Sequence, residues 1–153
     1  MSLKLREIKS GEEKNLAKLL KECFSKEYPS FIKFDEEYVR KKIENERNNI
    51  FIALEKDNIV GSIRAKKTGD DLAELVQISV TKKFRNKGIG TKLMKKTVQE
   101  LKKKGIRKIT ATSNSKDKKG MIFLIQNNFE PETIMKQHYN TKNDVVQFSL
   151  FVK

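Results

Sequence analysis

A chain of 153 residues can bury one core but is too short for two comfortable ones, so a single domain spanning residues 1–153 is expected. Thirty-four Lys and Arg against 20 Asp and Glu give a formal net charge of +14, and 37% hydrophobic residues in clear periodic patterns argue against disorder. No apolar run reaches the roughly 18 to 20 residues of a membrane span, and the N-terminal MSLKLREIKS lacks the apolar core of a signal peptide; the expectation is a soluble, cytoplasmic protein with no membrane contact.

Leu3 to Ile8 alternates like a short strand, and Ser10 with Glu13 forms an S-x-x-E capping box that predicts the start of a helix. That helix carries Leu16, Leu19, Leu20 and Cys23 along one stripe, with Pro29 beyond its end. A second helical segment, Asp35 to Arg47, is rich in acid at Asp35, Glu36, Glu37, Glu44 and Glu46. Ile50 to Leu54 and Ile59 to Ala65 are β-branched runs around a turn-forming Glu55–Asn58, and Leu72 to Val80 adds a third strand. Ile89, Leu93, Thr97, Val98 and Leu101 define the inner face of a lysine-rich helix that Gly105 stops. A strand over Ile106 to Ala111 follows, which implies a parallel pair with a right-handed crossover. Asn114 or Ser115 caps a further helix containing Met121, Ile122, Leu124 and Ile125, and strands over Thr133–Tyr139 and Val145–Val152 close the chain. The order βααβββαβαββ predicts an α/β (α+β) mixed sheet with helices on both faces.

Cys23 is the only cysteine, so no disulfide can form within the chain, and its place in an apolar stripe reads as a structural thiol. His138 is the only histidine, which removes histidine clusters as metal sites; no metal is expected. The charge is concentrated: Lys82 to Lys108 holds twelve Lys or Arg against one acid, Glu100, a local balance of +11. Such a segment attracts nucleic acid, an anionic surface or a polyphosphate. Nucleic acid is the weakest of these readings, because Phe84 is the only aromatic in the stretch.

Within that segment, Val80-Thr81-Lys82-Lys83-Phe84-Arg85-Asn86-Lys87-Gly88-Ile89-Gly90-Thr91 leads from a strand through a basic glycine loop into a helix. A helix N-terminus offers unpaired N–H donors and a positive dipole end, and glycine lets backbone close round an anion. A dinucleotide fingerprint fails because its third glycine would fall at Leu93, and no Walker spacing exists.

Ile78-Ser79-Val80 followed by Arg85-x-x-Gly88-x-Gly90 resembles the strand and pyrophosphate loop of the GNAT N-acetyltransferase superfamily. The Arg/Gln-x-x-Gly-x-Gly/Ala signature matches at each position, and the order of elements is similar over nearly the whole chain. The resemblance implies an acetyl-CoA-dependent N-acetyltransferase acting on a primary amine of a small molecule or protein. It implies a diphosphate held by the N–H groups of Arg85, Asn86, Lys87, Gly88, Ile89, Gly90 and Thr91, a pantetheine arm paired with the strand at Ile78, Ser79 and Val80, and a cofactor contact at Asn114.

An ammonium must lose a proton before it attacks a thioester. Glu74 is the candidate base: strict alternation places it with Leu72, Val76, Ile78 and Val80, where apolar surroundings favour the neutral carboxyl. Ala73-Glu74-Leu75-Val76 also resembles the segment bearing the base glutamate in the histone-acetylating branch. A backbone N–H near Ile78 to Val80 would hold the acyl oxygen, worth roughly 3 kcal/mol by analogy with other oxyanion sites. The family's acid tyrosine is replaced by Leu124, which leaves Tyr139 as the candidate acid and a non-enzymatic coenzyme A-binding or nucleic-acid-binding module as the alternative. The acids between Asp35 and Glu46 point to a cationic acceptor such as a polyamine or lysine-rich peptide, and a homodimer stays open.

Overall fold

The computed structural model describes residues 2–26 and 32–153. Its elements are β1 (Leu3–Glu7), α1 (Glu13–Phe24), α2 (Glu36–Glu44), β2 (Asn48–Glu55), β3 (Asn58–Lys67), β4 (Leu72–Val80), a 3-10 turn (Lys82–Phe84), α3 (Ile89–Lys103), β5 (Lys108–Asn114), α4 (Lys118–Gln126), β6 (Glu130–Asn140) and β7 (Asn143–Phe151). The expected βααβββαβαββ order is the observed one. The seven strands form one mixed sheet in the order β1-β2-β3-β4-β5-β7-β6, in which β4 and β5 are parallel and every other pair is antiparallel.

Two apolar clusters lie on opposite faces. One joins Ile63, Ala65 and Ala73 of the sheet to Ile89, Leu93, Met94 and Leu101 of α3 and Leu124 of α4. The other gathers Leu16, Leu19 and Leu20 of α1 with Val39 of α2 and Ile50. Helices therefore cover both faces, as the composite periodicities of 2 and 3.6 require. At Gly61 the α3 face comes so close that an added Cβ would sit 3.1 Å from both Ile89 and Leu93.

Several element ends differ from the sequence reading for local reasons. Ser10 and Glu13 form no capping box: α1 begins after Glu12, whose carboxylate accepts from Lys9 N–H at 2.8 Å and from the Arg6 guanidinium at 2.6 and 2.9 Å. Pro29 lies outside the described residues. Asp35 is the cap of α2 rather than its first residue, accepting from Tyr38 N–H at 2.8 Å, and Asn45 ends the helix in an extended conformation. Lys56 and Asp57 both have positive φ, 48° and 63°, which makes the β2–β3 connection a two-residue turn with the twist hairpins favour. α3 ends as predicted at Gly105: at φ +78°, its N–H reaches Lys102 O at 3.0 Å while Ile106 N–H reaches Leu101 O at 3.1 Å, a Schellman closure. That closure uses Ile106, so β5 starts later than expected, at Lys108. Asp117 caps α4 in place of Asn114 or Ser115, with Gly120 N–H donating to it at 3.0 Å.

Candidate functional site

β4 carries an irregularity that organises the site. Its register against β3 runs Lys66↔Glu74 and Ala65↔Leu75, then resumes at Arg64↔Gln77, so Val76 is an extra, unpaired residue. A bulge of this kind interrupts alternation and increases local twist. Before it, Ala73 and Leu75 face the α3–α4 cluster; after it, Ile78 and Val80 do. The opposite face is formed by Glu74, Gln77 and Ser79, the last sharing a 2.8 Å hydroxyl contact with Ser62. The strict alternation expected for β4 is therefore wrong. Glu74 is half-buried on the α1–α2 side, not on the side of Ile78 and Val80, and its register neighbour on β3 is Lys66.

The bulge is also where the sheet opens. β5 pairs with β4 only from Leu72↔Lys108 to Leu75↔Ala111, then follows β7 through Thr112, Ser113 and Asn114. Beyond Leu75, β4 keeps β3 on one edge and loses its partner on the other. Into that gap opens a cleft of about 620 Å³, bordered by Leu75 to Ile78, by Ala111 to Asn114, by Met94 and Phe123 beneath, and by Tyr139 at its rim. Gln77 borders this cleft and also a small cavity on the α1–α2 side of the sheet.

At the end of β4 the basic loop turns into α3. Gly88 stands at the N-cap with φ +77°, a left-handed conformation, and Asn86 also has positive φ, 59°. The first bond at the start of α3 runs from Lys92 N–H to Gly88 O at 3.0 Å, which leaves the N–H groups of Ile89, Gly90 and Thr91 ahead of the ladder. A Cβ on Gly88 would meet nothing within 4 Å, whereas one on Gly90 would lie 3.2 Å from Phe123. The loop is thus open at Gly88, with N–H donors that could cradle an anion, and its first helical turn is packed against α4. Lys83, Arg85 and Lys87 are exposed around it. The Arg85 side chain folds back, its Nε donating to Val80 O at 2.9 Å and its Nη2 lying 3.9 Å from Cys23 Sγ. It ties loop to strand, and it gives the half-buried Cys23 a structural setting. Further along α3, Lys96 and Lys103 share Glu100 at 2.9 and 3.2 Å, hydrogen bonds that hold its carboxyl below the usual carboxylate range.

Of the residues singled out in the sequence, Ile78, Tyr139 and Asn114 border the cleft, and Arg85 to Thr91 form the loop and first turn that lead into α3. Asn114 Oδ1 accepts from Lys116 N–H at 2.9 Å, shaping the turn between β5 and α4. Leu124, where the acid tyrosine was sought, is buried at the cleft wall. Sequence reasoning missed Val76, Gln77, Met94 and Phe123. The aromatic Phe123 beneath Gly90 had a readable signal, its place on the inner face of α4; the bulge had none.

Residues 14–124 match the family model described as Acetyltransferase (GNAT) family. The chain belongs to the GNAT acetyltransferase family. Among solved structures it is similar to an acetyltransferase of that family from Desulfovibrio desulfuricans, with TM-score 0.87 and 16% identity over 99% of this chain and 100% of that one. It is also similar to the ribosomal-protein-S18-alanine N-acetyltransferase from Escherichia coli, with TM-score 0.82 and 15% identity over 99% and 95% of the two chains. An aminoglycoside 6'-N-acetyltransferase complexed with coenzyme A gives TM-score 0.86 and 16% identity over 98% and 97%. No curated protein matches the sequence significantly. As a GNAT acetyltransferase, the chain has the fold for acetyl transfer from acetyl-CoA. The cleft and the cradle fit that co-substrate: an unpaired strand edge leads to a helix N-terminus with free N–H donors and no Cβ at Gly88. Among the described residues, no group of three or more His, Cys, Asp or Glu could hold a metal ion, and no helix is long and apolar enough to cross a membrane.

Proposed function

We propose that this GNAT member is an N-acetyltransferase that delivers acetyl to a primary amine by direct attack. The observation that carries the reading is the gap beyond Leu75, where β4 loses β5 as a partner, with Glu74 on the side opposite α3 and α4. When bound, acetyl-CoA supplies an acetyl thioester. Its diphosphate is held by the cradle N–H groups from Arg85 to Thr91, strengthened by the dipole end of α3 and by the exposed Lys83 and Lys87. The unpaired edge of β4 from Val76 to Val80 takes the extended pantetheine as a further strand, through Ile78, Ser79 and Val80.

The amine enters from the α1–α2 side. There Glu74 accepts its proton, directly or through one water, converting ammonium into nucleophile. A β4 N–H beyond the bulge faces the acyl oxygen and opposes the negative charge that develops on it. Tyr139 can donate a proton to the departing sulfur, whose own proton affinity, about pKa 8.5 for a thiol, makes this assistance modest. The two reactants thus approach from opposite faces and meet in the gap.

The test is thiol release from acetyl-CoA across a panel of small amines and peptides, with mass detection of the acetylated product. An N-acetylated product supports the reading. Tight coenzyme A binding with no transfer to any amine defeats it and leaves the binding-only module.

A further inference from the structure

Three cations converge on the face from which the amine enters. Arg64 and Lys66 lie on β3 in register with Gln77 and Glu74, and both are on the α1–α2 side. Lys42 is half-buried on α2, and its carbonyl is bound by Asn48, whose Oδ1 in turn accepts from Arg64 Nη1 at 3.2 Å. Lys42, Arg64 and Gln77 border the same small cavity of about 10 Å³. Among the described residues none of the three cations has a carboxylate within ion-pair distance, although seven other ion pairs form. The buried Nε–H of Arg64 has no acceptor. Burial first, then repulsion from Arg64 and Lys66, pushes the Lys42 ammonium below the ordinary lysine range.

The acids of α2 do not relieve this crowding. Asp35 is spent on its cap, Glu37 pairs with Lys41 at 2.9 Å, and Glu36, Glu44 and Glu46 are exposed. A polyamine or lysine-rich acceptor would therefore meet like charge beside Glu74. Clustered, half-buried cations without an ion-pair partner raise the free energy of the unliganded protein, and an anion placed among them relieves it.

Resting on the amine-acetylation reading, we propose that Lys42, Arg64 and Lys66 form an anion subsite for the acceptor, which is a small amine bearing its own carboxylate. Adjacent strands are roughly 4.8 Å apart, so an amine at Glu74 on β4 and a carboxylate over Arg64 and Lys66 on β3 are a few bonds apart, as in an amino acid.

The experiment pairs glycine, β-alanine, L-methionine and L-phenylalanine with their carboxamides and their decarboxylated amines, with spermidine added as a cationic acceptor. Acetylation rates are measured for the wild-type chain and for Lys66→Gln and Lys42→Gln. Each carboxylate should exceed its carboxamide in kcat/KM by about tenfold or more, the scale of a hydrogen bond to a charged group. Both variants should erase most of that preference by raising acceptor KM, with the KM for acetyl-CoA unchanged; an acetyl-CoA-induced rise in Tm shows that they are folded. Carboxamides or spermidine turned over as well as the carboxylates would overturn the subsite while leaving amine acetylation intact. If nothing in the panel is acetylated, calorimetric titration of the same compounds into protein saturated with coenzyme A decides it. Preferential binding of carboxylates, lost in Lys66→Gln, supports the subsite although the transfer reading fails, and equal or absent binding removes both.

Discussion

Gly88 allows charge and shape at the cradle to be separated. Its φ of +77° favours glycine, yet an added Cβ meets nothing within 4 Å, so the cost of substitution in the unliganded protein is confined to the backbone. That cost is about 1 to 2 kcal/mol for most residues in a left-handed conformation, and less for Asn and Asp. Gly88→Asp and Gly88→Asn should therefore fold with similar Tm. Acetyl-CoA at a hundredfold excess over Kd stabilises the native state by about 2.7 kcal/mol. For a chain of this size that is a rise of roughly 5 to 11 °C. A carboxylate about 4 Å from a phosphate costs about 1 kcal/mol in water and about 4 kcal/mol at an effective dielectric of 20. Near the middle of that range the hundredfold excess shrinks to parity, and the stabilisation to about 0.4 kcal/mol, which is less than about 2 °C. The assay is thermal denaturation of wild type and both variants with and without acetyl-CoA. An Asp variant that keeps the full rise would remove the cradle as the diphosphate site. An Asn variant that loses as much as Asp would show that bulk, not charge, governs the loop.

Glu74→Gln should lower kcat/KM about a hundredfold at neutral pH, with the loss shrinking at high pH as free amine accumulates. The acetyl-CoA-induced rise in Tm should stay unchanged; an acidic limb of the rate profile identical in both proteins would take the base role from Glu74. Lys42→Met should raise stability at neutral pH by up to about 0.5 kcal/mol, the scale of a surface substitution, while weakening carboxylate acceptors. The sign follows from the lowered Lys42 pKa: the charged form is disfavoured in the folded state, so the cost is full below the folded pKa and vanishes as pH rises through the ordinary lysine range. Denaturant titrations at neutral pH and above pH 10 should therefore converge, and a less stable variant at neutral pH would contradict this. Gly105→Ala should cost about 1 to 2 kcal/mol by straining the Schellman closure at φ +78°, lowering Tm with no change in the cofactor-induced rise.

Where a single residue announced its own local geometry, the fold was legible. Gly105 stopped α3 because only a left-handed residue closes that helix, and the turn-forming run at Glu55–Asn58 placed the β2–β3 hairpin. The cap positions were less legible because several side chains competed for the same orphan N–H groups. Ser10 lost to a helix start organised by the Arg6–Glu12 pair, which joins β1 to the residue before α1, and no local spacing encodes a partner on another element. The Arg85-x-x-Gly88-x-Gly90 loop was readable because its requirement is local backbone freedom. The cation cluster was invisible: Lys42, Arg64 and Lys66 are separated in sequence by a turn and a strand, and only the packing of α2 against the sheet assembles them.

The largest departure, the face of Glu74, has the most consequence for the chemistry. Strict alternation would have put the carboxylate beside Ile78 and Val80, on the same side as α3 and α4, where the base and the co-substrate would compete for one cleft. One extra residue, Val76, reverses this. It puts Glu74 and Gln77 together on the α1–α2 face, returns Ile78 and Val80 to the α3–α4 core, and marks the point at which β5 leaves β4. The same insertion therefore separates the proposed proton acceptor from the proposed thioester path and opens the gap through which they can meet. In this sequence a regular strand would turn Gln77 and Ser79 toward the α3–α4 core and Ile78 and Val80 away from it, so the bulge is what lets Ala73, Leu75, Ile78 and Val80 share one face. Beyond that packing role, the bulge falls where β4 loses β5 as a partner, so one inserted residue sets the core face, the face of Glu74 and the edge of the cleft together.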